Sequence, residues 1–108
     1  MQQVWIRSVE IDDRGLLQVE PALAPGQDLR HIWRAANGVR WNEESETLQP
    51  VDGSSSEHGA WMRRIVDAVR GEYGMELVTR DQTVWRNVPA DLIDELTTAA
   101  NRKSTRFE

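Results

Sequence analysis

A chain of 108 residues with five tryptophans and no cysteine is long enough for one domain with its own core, and it excludes disulfides and thiolate chemistry. The net charge is −5; residues 1–54 hold five Arg against nine Asp/Glu, and residues 55–108 hold eight Lys/Arg against nine, so neither half has the basic footprint of a nucleic-acid binder. Met1 to Arg7 lacks the basic start and apolar run of a signal peptide, and no stretch approaches the roughly 18 apolar residues of a membrane span, so the expected location is cytoplasmic.

Val4 to Ile11 is a short run of β-branched and aromatic residues and predicts a strand. The cluster Asp12-Asp13-Arg14-Gly15 is a turn, and Leu16 to Glu20 returns as the second strand of a hairpin. After Pro21, Pro25 and Gly26, Asp28 is placed to cap a short helix. Leu29, Ile32, Trp33 and Ala36 make its apolar face, and Asn37-Gly38 stops it. Val39-Arg40-Trp41 and Thr47 to Val51, joined by the acidic turn Asn42 to Glu46, predict a second hairpin.

Ser54 with Glu57, or Ser56 alone, offers an N-cap for the strongest helix. Met62, Ile65, Val66, Val69 and Tyr73 repeat at helical spacing, Trp61 and Ala68 widen the face, and Gly74 ends it. Met75 to Thr79 alternates like a strand, and Thr83-Val84-Trp85 adds a short extended piece. Pro89 suits the first turn of a last helix, whose apolar face is Leu92, Ile93, Leu96 and Ala99/Ala100. The expected fold is a single α+β domain over residues 1–101, with a mainly antiparallel sheet of two hairpins plus one further strand, packed by three helices. Residues 102–108 form a polar tail.

No residue pattern carries a recognisable reaction. His31 and His58 are far apart in sequence and off any paired metal-ligand spacing, so surface or capping roles are expected. Ser54-Ser55-Ser56-Glu57-His58 holds hydroxyls, a carboxylate and an imidazole, but triads assemble across a fold rather than along one loop. The acidic turns at Asp12-Asp13 and Glu43-Glu44-Glu46 lack a calcium-loop alternation, and no glycine pattern cradles phosphate. No catalytic residue, metal ligand or cofactor is therefore assigned.

The tryptophans carry what signal there is. Helical spacing assigns Trp33 and Trp61 to packing, while Trp5 and Trp41 depend on hairpin register, because a one-residue slip reverses a strand's faces. Trp85, beside Arg86, Asn87 and Pro89, suits a pocket rim or the core edge equally.

Three stretches, Ile32 to Trp41, Trp61 to Ile65 through Glu72-Tyr73-Gly74, and Thr83 to Pro89, together with their spacing, resemble small uncharacterised bacterial integron gene-cassette proteins. The resemblance covers most of residues 16–96. It implies a compact α+β fold and frequent self-association, and it supplies no activity and no catalytic residues.

Two functions follow as expectations. The first is a non-enzymatic binding or adaptor domain that self-associates as a homodimer, with a protein partner or small molecule as its ligand. The second is a small-molecule binder or enzyme with a Trp-lined pocket between sheet and helices, using Trp41, Trp61 and Trp85 with Tyr73, Glu72 or Arg64 as polar contacts. Nucleic-acid contact through Arg63, Arg64, Arg70, Arg102, Lys103 and Arg106 ranks last, given the net charge.

Overall fold

The computed structural model describes residues 2–51 and 57–101. The two predicted serine caps, Ser54 and Ser56, and the polar tail lie outside these residues. In chain order the elements are strands β1 (Gln2–Ile11), β2 (Leu17–Pro21), β3 (Val39–Asn42) and β4 (Thr47–Pro50), helix α1 (His58–Tyr73), strands β5 (Met75–Val78) and β6 (Val84–Arg86), and helix α2 (Ala90–Ala100). A single 3-10 turn, Ile32–Arg34, precedes β3.

The sheet runs β3-β4-β2-β1-β5, and β6 also pairs with β1. The two hairpins are antiparallel, but β5 and β6 lie parallel to β1, against Gln2–Trp5 and Ser8–Glu10 respectively. The sheet is therefore mixed rather than antiparallel throughout. The reason is connectivity: α1 leads into β5 and carries the chain across, so the strand after it enters in the direction of β1. Between β5 and β6 the ladder breaks. The hydroxyl of Thr83 donates to the carbonyl of Ile6 at 2.6 Å and accepts the N–H of Arg80, filling the gap with a side chain.

The turns were written locally. Asp12 accepts the backbone N–H groups of Arg14 and Leu16, and Gly15 takes φ +81° to close the first hairpin. Gly74 closes α1 in the left-handed region at φ +66°, donating its N–H to the carbonyl of Arg70. Pro89 stands at the N-cap of α2, and its carbonyl accepts the N–H of Ile93.

The expected third helix is the main correction. The segment after Asp28 makes one 3-10 turn only. The side chain of Asp28 turns onto the N–H of Arg30, two residues on, instead of capping a longer helix, and nothing supports the costly nucleus of so short a segment. A 3-10 turn rotates about 120° per residue, so when Ile32 points into the core its neighbour Trp33 swings away. Leu29, Ile32 and Ala36 are buried as expected, but Trp33 is 58% exposed.

Register gives the sheet two unlike faces. Trp41 pairs with Leu48, Leu48 with Val19, Val19 with Val9, and Val9 with Trp85. Paired residues share a face, so one row of apolar side chains crosses five strands and ends in an indole on each side. Leu48, Val19 and Val9 are fully buried in the core with Trp61, Met62, Ile65 and Val69 of α1 and Leu96 of α2.

Pairing of the neighbouring residues makes a second row, Arg40, Gln49, Gln18, Glu10 and Arg86, on the opposite face. There the first three side chains form a hydrogen-bonded chain that runs on to Asp12 of the first turn. Arg40 donates to Gln49 at 3.1 Å, Gln49 to Gln18 at 3.2 Å, and Gln18 to Asp12 at 2.7 Å. Gln49 is only 6% exposed although it lies on the polar face, because its neighbours close over it and satisfy its amide.

Candidate functional site

A cleft among the described residues opens at the end of the sheet where β2 leaves and the β3–β4 turn begins. Its volume is about 580 Å³. Trp41, Pro21 and Leu23 form its apolar wall, and Arg7, Asp28, Glu43 and Glu46 bring charge to it.

Each wall follows from local sequence. Arg7 is the extra residue of a β-bulge, since pairing with β2 passes from Ile6–Pro21 to Ser8–Glu20 and leaves it unpaired. Pro25 and Gly26 make a tight turn, with Gly26 at φ +88°, the N–H of Gln27 donating to the carbonyl of Ala24, and the Gln27 side chain accepting the N–H of Ala24. That turn forms one lip. The other is the β3–β4 turn, where Asn42 accepts the N–H groups of Glu44 and Ser45, and Glu46 is held at φ +57°. A side chain other than Gly in that region costs about 1 kcal/mol, so Glu46 is placed at some expense in stability.

The charges are partly matched. Arg7 lies 3.8 Å from Glu20, and Arg30 lies 3.4 Å from Asp28. The hydrogen bond from the Arg30 side chain holds the carboxyl of Asp28 below the usual carboxylate range. A second depression, lined by Gln2, Tyr73 and Met75, shares Gly26, Gln27 and Asp28 with the first, so the Pro25–Gly26 turn is a ridge between them. Burial pushes the Tyr73 phenol up, against a backbone hydrogen bond from His31.

The residues expected to form a Trp-lined pocket do not share one among the described residues. Trp41 lines the large cleft and Tyr73 the smaller depression. Trp61 is 2% exposed in the core, its indole N–H donating to the carbonyl of Gly38 at 3.3 Å. Trp85 is half-buried against the core at the far end of the apolar row from Trp41. Arg64 is exposed and reaches the carbonyl of Asn37 at 3.4 Å, and Glu72 is exposed. Trp5 lies on the polar face under the guanidinium of Arg80, 5.5 Å from its ring centre. Sequence reasoning missed Arg7, Glu43, Glu46 and the Pro25–Gly26 lip as neighbours of Trp41. No local signal reveals a bulge at Arg7; it exists only in the pairing of β1 with β2.

Among the described residues, no group of three or more His, Cys, Asp or Glu side chains converges as a metal site. No described helix is long and apolar enough to cross a membrane.

Neither a protein-family model nor a curated protein matches the chain. A solved structure does: the integron cassette protein Hfx_Cass5, from the mobile metagenome of North West Arm Sewage Outfall, is 34% identical over 93% of this chain and 97% of its own, with a TM-score of 0.43. The chain belongs to the family of this integron cassette protein. The resemblance carried by Ile32 to Trp41, Trp61 to Gly74 and Thr83 to Pro89 is thereby borne out. In this chain those stretches form the 3-10 turn with β3, α1, and β6.

Proposed function

We propose that this integron cassette protein is a non-enzymatic binding domain that self-associates through the β3 end of its sheet. One observation carries the reading: Trp33 is 58% exposed, with the guanidinium of Arg34 5.7 Å from its ring centre. An exposed indole next to arginine is the composition that dominates protein–protein contacts, since each supplies large area and directed polar contact at low entropy cost.

The surroundings support the same surface. β3 is the outermost strand on its side, and no described strand pairs with its outer edge. An unprotected edge presents unpaired N–H and C=O groups, which a second copy can satisfy antiparallel about a two-fold axis. The 3-10 turn that carries Trp33 packs beside β3.

Sedimentation equilibrium of the wild type and of Trp33→Ser tests this. A wild-type dimer and a Trp33→Ser monomer of unchanged circular dichroism are expected. A wild-type monomer at high concentration, or a Trp33→Ser dimer of unchanged affinity, overturns it.

A further inference from the structure

The geometry points to a second binding site in the Trp41 cleft, for an organic cation: an ammonium or guanidinium group carried on a small apolar body. This goes beyond self-association, because Trp33 is not one of the cleft's walls.

The size comes first. A cleft of about 580 Å³ is within the range of small-molecule sites. Trp41 is half-buried and packs against the core at one edge, which leaves part of the indole as the cleft's aromatic wall. Pro21, Leu23 and Pro25 supply an apolar surface for the body of a ligand.

Charge then selects the ligand's sign. Arg7 is matched by Glu20, and Asp28 by Arg30, so these two pairs are internally neutral. Glu43 and Glu46 remain, and four carboxylates against two guanidiniums leave a local excess of two negative charges. Arg30 also feels Glu43, which moderates this excess without cancelling it. An aromatic face with carboxylates at its rim attracts a cation in two ways, through the ring quadrupole and through Coulomb attraction. An anion meets the same carboxylates as repulsion, and a neutral molecule gains only the apolar wall.

Titration calorimetry with benzyltrimethylammonium, benzylguanidine, benzyl alcohol and benzoate tests the site, with indole N–H resonances recorded in parallel. The Trp33→Ser variant serves as the host, so that loss of self-association and loss of the cleft are read separately. Saturable binding of the two cations, with the Trp41 indole resonance shifting most, is the expected result. The exposed pair Glu43→Gln/Glu46→Gln should weaken it about tenfold, and Trp41→Phe by a smaller factor. Absence of saturable binding, equal binding of benzoate and the cations, or a shift centred on any other indole overturns the proposal.

Discussion

The two faces of the sheet share one backbone and one register, yet they are held together by different forces. On the helix side, the row from Trp41 to Trp85 is stabilised by removal of apolar area from water, and each member acts through volume and shape. On the other side, the chain of side chains from Arg40 through Gln49 and Gln18 to Asp12 is stabilised by donors that meet acceptors, and Gln49 is buried only because its amide is satisfied. A hydrophobic row tolerates loss in proportion to the cavity left. A hydrogen-bonded row fails by leaving one partner unsatisfied.

The largest effect is expected in the apolar row. Leu48→Ala removes the side chain between Trp41 and Val19 and should cost about 2–5 kcal/mol in urea unfolding, with an unchanged m-value. Gln49→Ala on the opposite face should cost about 0.5–1.5 kcal/mol, because the hydrogen bonds of its amide with Arg40, Gln18 and Thr47 are lost while Arg40 is re-solvated and Gln18 keeps Asp12. The double change Gln18→Leu/Gln49→Leu sharpens the contrast. It removes both amides together and should cost less than the sum of the single changes, a non-additivity that two distant core changes do not show.

How much of this was legible in the sequence follows from how local each determinant is. Gly15, Gly74 and Pro89 mark a turn and two caps by their own backbone preferences, while Gly38, expected to stop a helix, takes positive φ in the turn into β3 instead. The faces of α1 and α2 were readable because helical periodicity is a local property. Trp33 was misplaced because periodicity at i, i+3, i+4 assumes an α-helix, and the diverted side chain of Asp28 gives a 3-10 turn instead. The parallel entry of β5 and β6, the bulge at Arg7, and the pairing that puts Trp41 and Trp85 in one row are long-range facts. They depend on which strand meets which, and nothing within either strand states it.

A comparable effect lies at Asp12, where the hydrogen-bonded run of side chains ends. Burial opposes ionisation of Asp12, but hydrogen bonds from the Leu16 N–H, Arg14 and Gln18 outweigh it and hold the carboxyl below its ordinary range. A depressed folded-state value stabilises the fold above the unfolded value and loses that stabilisation as pH falls through the folded one. Wild type should therefore exceed Asp12→Asn by about 1 kcal/mol near neutrality, and the gap should narrow below about pH 4 in thermal melts. The smallest effect has the opposite sign. Glu46→Gly relieves the left-handed backbone of the β3–β4 turn and should raise stability by about 0.5 kcal/mol while weakening cation binding in the cleft.

The account rests on Trp33 standing outside both faces as the contact residue. A soluble paramagnet added to the protein, with the five indole N–H resonances followed at low and high protein concentration, tests that most directly. Trp33 should be the most strongly broadened when dilute and Trp61 the least, and on concentration Trp33 should become the most protected. A Trp33 resonance already protected in dilute solution, or one indifferent to concentration, would contradict it.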